Sequence, residues 1–244
     1  MKVVEIFNSI DGEGKRAGEL TTFIRLFGCN LRCSYCDTPY GYEQQDGAEP
    51  YKEMSITEII QECIKYKTKN ITLTGGEPLI HNDVQYLLRA LSENNYNVNV
   101  ETNGSVSILK YRTLDGYPKP GYENVWFTID YKCPFSQMSK NMYIDNFDVN
   151  KYNHRNMVYK FVVANLQDLE MTKEIITTYI FQRNISKDMK YKNVVYLSPV
   201  FGEIEPKEIV EYLQNTPELI DTNTPVRVQL QLHKFIWPPE QRGV

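Results

Sequence analysis

Three of the five cysteines in this 244-residue chain, Cys29, Cys33 and Cys36, stand in the stretch GCNLRCSYCDT with C-x3-C-x2-C spacing. Thiolates are soft metal ligands and nucleophiles, so a cluster this tight points to metal binding or catalysis. A disulfide uses two thiols, and a closed zinc site usually wants four ligands. Three thiolates on one loop reach three corners of an iron–sulfur cube, and with no fourth cysteine nearby one iron stays open. A zinc ion completed by a distant His or Asp is the competing reading. Cys63 falls at an apolar position of a helical pattern and reads as a small core residue. Cys133, in DYKCP, reads as a packing or loop position, because a fourth thiolate would close the site.

A loop of ligands needs elements to hold it. Apolar, β-rich runs alternate with helical patterns along most of the chain, the order expected of βα units and a parallel sheet. The expected strands are 21–27, 70–74, 97–102, 125–130, 157–163, 194–198 and 226–233. Between them, SITEIIQECIKYK places Ile56, Ile59, Ile60, Cys63 and Ile64 on one helical face behind Ser55, with Glu58 three residues on in the capping-box pattern. NDVQYLLRALSENN repeats the period behind Asn82 as cap, and PKEIVEYLQN does likewise. The expected fold is a partial or distorted α/β barrel of mostly parallel strands. It is one domain over residues 1–244, with a cluster loop at 28–38 and a turn-rich insertion at about 105–124.

In such barrels chemistry gathers at the C-terminal ends of the strands. There the chain places Thr74-Gly75-Gly76-Glu77-Pro78, Glu101-Thr102-Asn103-Gly104, Asp130-Tyr131-Lys132 and Ser198-Pro199. Any one of these alone reads as a turn. All four, with the cysteine loop after the first expected strand, indicate a site. Arg25 interrupts the apolar run FIRLF, where an arginine is costly to bury unless an anion meets it; a surface acid and a bound carboxylate both qualify. In VRVQLQLH, Val226, Val228, Leu230 and Leu232 alternate with Arg227, Gln229, Gln231 and His233, giving one apolar and one polar face.

Composition removes several classes. Lys and Arg total 27 against 31 Asp and Glu, a net charge of -4 with both signs interspersed, so no electrostatic footprint for a nucleic acid exists. Hydrophobic residues at 41% suffice for a substantial core. The opening MKVVEIFNSIDGEG turns polar too soon for a signal peptide, and no stretch approaches the roughly 20 apolar residues of a membrane span. The expectation is a cytoplasmic protein without nucleic-acid or membrane partners. A reducing compartment disfavours a disulfide framework.

C-x3-C-x2-C with Tyr35 before the last cysteine, followed about 40 residues on by GGEP after the second expected strand, resembles the radical S-adenosylmethionine superfamily. The resemblance implies that superfamily's partial barrel and a [4Fe–4S] cluster on the three thiolates. It also implies S-adenosylmethionine chelated to the open iron through its amino and carboxylate groups. An electron from the cluster would break a C–S bond and release a 5′-deoxyadenosyl radical that takes a hydrogen atom from the substrate, while the protein positions the reactants and excludes solvent. Residue by residue, Gly75, Gly76 and Glu77 match the edge that receives the methionine amino group, where backbone approaches ligand. Tyr35, Cys36 and Asp37 match the backbone segment that meets the adenine. Glu101, Thr102 and Asn103, with Asp130, Tyr131 and Lys132, match strand ends contacting ribose and methionine, and Ser198 with Pro199 an adenine-side segment.

Both ends of the chain narrow the resemblance. SIDGEGKRAGELTTFIRLFGCNLRCSYCDT and VQLQLHKFIWP resemble the 7-carboxy-7-deazaguanine synthase family of the queuosine pathway. This implies a lyase converting 6-carboxy-5,6,7,8-tetrahydropterin to 7-carboxy-7-deazaguanine with loss of ammonia. It implies Mg2+ besides the cluster and S-adenosylmethionine, a homodimer, and a flavodoxin- or ferredoxin-like electron donor. Gly12 and Glu13, with the backbone of Ile10 and Asp11, would hold the pterin; Arg25 its carboxylate; Thr74 and His233 the ring; Thr38 the Mg2+. Arg25, Glu13 and His233 form the implied catalytic set. The residue types suit these roles: the Thr38 hydroxyl is a neutral oxygen fit for a hard Mg2+ that keeps several waters, and Glu13 is an acceptor for pterin N–H groups. A turn-making threonine, an exposed loop acid and a solvated strand face are the plainer readings of the same residues. The chain departs from the family at Asp11, where Gln is expected, and in the tail PPEQRGV, which runs on where some relatives stop. The resemblance is weakest for substrate contacts from those two regions.

Two rivals share part of the pattern. A glycyl-radical-enzyme activase has the same cysteine spacing and similar strand ends, but needs a protein partner and no Mg2+. A non-enzymatic iron–sulfur or zinc scaffold has no use for GGEP or Arg25, and would not cleave S-adenosylmethionine on reduction.

Overall fold

A computed structural model of the chain describes residues 1–44, 49–113, 115–181, 193–220, 223–239 and 241–244. Among them nine strands form one sheet: β1 (Lys2–Ile10), β2 (Leu20–Leu26), β3 (Lys52–Glu53), β4 (Asn70–Gly75), β5 (Asn97–Thr102), β6 (Val125–Tyr131), β7 (Val158–Val163), β8 (Val194–Pro199) and β9 (Val226–Val228). Their order is β3-β1-β2-β4-β5-β6-β7-β8-β9. Every neighbouring pair from β2 to β9 is parallel, while β1 runs antiparallel to β2 and β3. The helices are α1 (Ile56–Lys65), α2 (Val84–Glu93), α3 (Val149–Tyr152), α4 (Leu166–Ile175), α5 (Pro206–Gln214) and α6 (His233–Ile236). The sheet does not close on itself, and the architecture is the mostly parallel partial barrel expected. No described helix is long and apolar enough to cross a membrane.

The period-2 alternation of the strands separates an apolar layer from a polar one. On one face Leu73, Val98, Val100, Phe127, Phe161 and Leu197 pack with Ile59 and Cys63 of α1 and Leu87, Leu88 and Leu91 of α2 in one buried cluster. Full burial of such a side chain contributes about 1.5–3 kcal/mol. Helix α1 begins at the expected capping box, with the Ser55 hydroxyl accepting from the Glu58 N–H and the Glu58 carboxylate accepting from the Ser55 N–H at 2.8 Å. The other face carries Thr72 and Thr74, Asn99 and Glu101, Thr128 and Asp130, and Lys160. Buried polar groups persist there because they bond one another, as where the Thr128 hydroxyl donates to Asn99 Oδ1 at 2.9 Å. At the opposite end of the same strands Trp126, Val158, Val194 and Tyr196 form a small separate apolar cluster.

Four expectations need correction. Residues 2–10, which carry no expected strand, form β1; its Phe7 stacks on Phe23 of β2 with ring centroids 4.9 Å apart. The cap of α2 is Asp83 rather than Asn82, and its side chain makes no capping bond. Helix α4, continued by a wider turn at Ile176–Ile180, lacks a strong one-sided stripe and was not expected. The strand expected over 226–233 stops at Val228. Beyond it Gln229 spends its side chain on the loop after β1, accepting from the Gly14 N–H at 2.7 Å and donating to the Gly14 carbonyl at 3.1 Å. The Leu232 N–H then donates to the Gly12 carbonyl at 3.0 Å. The alternating pattern is real, but the chain leaves β8 to bridge the gap between the last strand and β1. Within the insertion near 105–124, Ile108 and Tyr111 are buried against the core, and Leu114 lies outside the described residues.

Candidate active site

Two adjoining cavities open where the strand ends meet the loops. The first, about 170 Å³, is rimmed by Cys29, Cys33 and Cys36. The loop bearing them is held by glycines. A Cβ on Gly76 would lie 2.2 Å from the Gly28 carbonyl oxygen and 2.7 Å from the Cys29 Cβ, and one on Gly75 would lie 2.2 Å from the Leu26 oxygen. These clashes explain GGEP: the end of β4 must lie flat against the chain entering the cysteine loop. The Gly76 and Glu77 N–H groups donate to the Leu26 and Gly28 carbonyls at 3.1 and 2.8 Å. The Cys29 sulfur accepts from the Leu31 N–H at 3.4 Å and lies 3.7 Å from Asn103 Nδ2, donors of the kind that stabilise cluster thiolates. Opposite the thiols, the Lys132 ammonium pairs with Asp130 at 2.6 Å and sits 5.6 Å from the Tyr35 ring centre. Asp130 Oδ1 is buried without a partner, an acceptor available to a ligand hydroxyl.

The second cavity, about 200 Å³, is lined by Arg25, Glu13, Gly12 and His233, with Phe7 and Phe23 beside them. Arg25 and Glu5 are cross-strand partners in β2 and β1, and Arg25 Nε donates to Glu5 Oε1 at 2.7 Å. Arg25 therefore faces the cavity already paired through Nε, while its two terminal nitrogens make no hydrogen bond among the described residues. His233 opens α6 rather than ending a strand, and burial lowers its pKa, favouring the neutral imidazole. Asp11 also lines the cavity. The residue is 3% exposed, its carboxylate accepting from Arg16 Nε at 2.7 Å and the Thr72 hydroxyl at 2.6 Å, and burial raises its pKa.

Thr38, Thr74, Gly75, Glu101, Lys160, Asp37 and Gln231 line both cavities, so the two are separated by one shared wall. Burial pushes the Glu101 carboxyl up to about 7, and the Thr74 hydroxyl lies 3.4 Å from its Oε2. Lys160 pairs with Glu13 at 2.5 Å. The Thr38 hydroxyl stands 4.0 Å from the Cys36 sulfur.

Three sequence-indicated residues reach neither cavity. Glu77 is fully buried, accepting from the Asn103 N–H at 2.6 Å, the Thr102 hydroxyl at 2.8 Å and the Leu79 N–H at 2.9 Å, so it staples β4 to β5 rather than meeting a ligand; burial lifts its pKa to about 7. Tyr131 points into the core against Phe147 and Phe161. Ser198 is buried with its hydroxyl unpartnered, and its neighbour Pro199 lines the first cavity instead. Conversely, Lys160, Thr128 and Lys234, which the sequence does not single out, line the site, as does Gln231 from the polar face of VRVQLQLH. Lys160 was findable: it interrupts VYKFVV as Arg25 interrupts FIRLF.

A family model described as the radical SAM superfamily matches residues 23–176, the span from β2 through α4. The chain is 42% identical over its full length to a 7-carboxy-7-deazaguanine synthase of Clostridium acetobutylicum, covering 99% of that protein. It is 34% identical, over 98% of this chain and 86% of the other, to a protein of the same name from Methanospirillum hungatei. Among solved structures, QueE from Escherichia coli superposes with a TM-score of 0.64 over 93% of both chains at 20% identity, a likeness of fold. A paired-cavity site on a radical S-adenosylmethionine barrel, matched end to end at this identity, places the chain in the 7-carboxy-7-deazaguanine synthase family.

Proposed function

We propose that the chain contracts the ring of 6-carboxy-5,6,7,8-tetrahydropterin to 7-carboxy-7-deazaguanine with release of ammonia, in 7-deazapurine biosynthesis. The observation that carries this reading is the shared wall: a thiol-rimmed cavity and a polar cavity holding Arg25 and Glu13 meet at Thr74, Gly75 and Glu101. A hydrogen atom passes between ligands only when they touch, so adjoining sites are what the chemistry requires.

The donor set fits the implied cofactors. Three half-buried thiols share one rim, and among the described residues no three His, Cys, Asp or Glu side chains gather closely enough to surround a single ion. That arrangement suits a cube, where each thiolate takes a different iron, better than zinc. Bound there, the [4Fe–4S] cluster and S-adenosylmethionine supply the radical chemistry. The chain supplies the rest. Gly75 and Gly76 leave room for the methionine end, and Asp130 with Lys132 holds the ribose. Arg25 offers its terminal nitrogens to the substrate carboxylate, Glu13 accepts from the ring, and His233 approaches as a neutral imidazole.

In the same reading Thr38 ligates Mg2+ together with water and substrate oxygens, next to the cysteine loop. The enzyme is a cytoplasmic homodimer with no nucleic-acid or membrane partner, and its electron comes from a flavodoxin- or ferredoxin-like donor.

Anaerobically reconstituted protein given a reductant, S-adenosylmethionine, Mg2+ and the carboxylated tetrahydropterin should form the deazaguanine and ammonia. Reductive cleavage of S-adenosylmethionine with the pterin left untouched would refute the substrate. Equal turnover after thorough chelation of divalent ions would refute the Mg2+ role.

A further inference from the structure

Lys160 is the one cation in the wall common to the two cavities among the described residues. It stands in β7 in register with Asp130 of β6, yet Asp130 is already taken by Lys132 at 2.6 Å. Lys160 instead reaches the loop after β1, donating to Glu13 Oε2 at 2.5 Å across 147 positions of sequence. Both side chains are nearly buried, at 13% and 10% exposure. Of the two Glu13 oxygens, Oε1 is buried and without a partner. An unmet acceptor in a buried site is unfavourable, and that cost is recovered when a ligand brings the donor.

We propose that Lys160 is a positioning residue for this reaction: it holds Glu13 in a single rotamer, so that Oε1 remains an acceptor for an N–H group of the bound heterocycle. The inference rests on the functional reading above and adds a residue to it. The physical reason is desolvation. A carboxylate this buried, deprived of its cation, swings toward solvent, and the acceptor leaves the site with it. Glu101 cannot substitute, since it lies on β5 and is the carboxyl that burial has already pushed toward protonation.

Steady-state kinetics of the holoenzyme test this with Lys160→Met, Lys160→Gln, Lys160→Arg, Glu13→Gln and the Lys160→Met/Glu13→Gln double variant, each checked for iron content and thermal unfolding. Removing one partner of a buried charged pair should raise KM for the pterin roughly 30-fold or more in Lys160→Met, with a smaller loss in kcat. Lys160→Arg should recover most of that loss. Lys160→Gln, which keeps a donor without the charge, keeps the test open if the Met variant fails to fold, and should resemble Met rather than Arg. The double variant should be no worse than the worse single one, because both changes remove the same interaction. A KM within about threefold of wild type in the folded uncharged variants, or single losses that multiply in the double variant, would overturn the proposal. Wild-type enzyme inert toward the pterin is a different failure, that of the functional reading, and is seen before any variant is assayed.

Discussion

Gly12 and His233 are packed so closely that a Cβ on Gly12 would stand 2.3 Å from His233 Nδ1. The Leu232 N–H donating to the Gly12 carbonyl docks the segment after β9 on the loop after β1, and the imidazole comes with it. One wall of the second cavity is therefore built from two ends of the chain. Gly12→Ala must push the ring aside, and overpacking of this kind costs about 1–3 kcal/mol. The expected outcome is a KM for the pterin raised about tenfold or more, with iron content unchanged. A KM equal to wild type would show that the position of His233 does not matter to substrate.

Cys29→Ala, Cys33→Ala and Cys36→Ala should each lose the cluster absorbance and the reductive cleavage of S-adenosylmethionine. Cys63 and Cys133 are fully buried, the first in the helix core and the second with its sulfur 3.5 Å from the Thr172 hydroxyl. Cys63→Ala and Cys133→Ala should keep the iron. Four irons retained with full cleavage in Cys33→Ala would sink the ligand assignment.

Arg25 enters the cavity with its Nε held by Glu5. If its terminal nitrogens grip the substrate carboxylate, Arg25→Ala should weaken binding of the carboxylated pterin roughly 30-fold or more. Calorimetry with that pterin and with an analogue lacking the carboxylate gives the decisive comparison: wild type should discriminate strongly and the Ala variant hardly at all. Arg25→Lys should recover only part, since an ammonium keeps the charge but not the fork. Glu5→Gln should leave the discrimination in place, separating loss of the anchor from loss of its cross-strand partner.

His154 is 1% exposed with Nε2 2.9 Å from the Asp145 carbonyl oxygen, and burial depresses its pKa to about 4. In the unfolded chain it titrates near the ordinary value of about 6.5. Between those values the unfolded state binds more protons, so this contribution is fully present above about pH 6.5 and is lost as the pH falls toward 4, about 3 kcal/mol in all. Urea unfolding at pH 7 and pH 4.5 should show a steeper acid loss in wild type than in His154→Gln. Parallel losses in the two proteins would mean that the histidine is not buried neutral.

Much of this site was legible in local sequence. C-x3-C-x2-C, the glycines of GGEP and the Ser55–Glu58 capping box are short-range patterns whose chemistry is complete within a few residues, and apolar, β-rich runs place β4 through β8 without tertiary knowledge. Those runs could not say which face of a strand lines a cavity. Glu77 and Glu101 are both acids near strand ends, yet one ties the end of β4 to the end of β5 and the other faces the reaction space. Nor could the alternation of VRVQLQLH end β9: the Gln229 N–H still donates to the Leu197 carbonyl, but the Gln229 side chain and the Leu232 N–H bond Gly14 and Gly12, partners more than two hundred positions away. The Lys160–Glu13 pair, the Arg25–Glu5 pair and the meeting of Gly12 with His233 exist only once β1 pairs with β2 and the last strand is bridged back to the first loop. Side-chain identity and spacing determine what each residue is able to bind, whereas burial and partner choice depend on which strands become neighbours, and that is set by packing of the whole sheet.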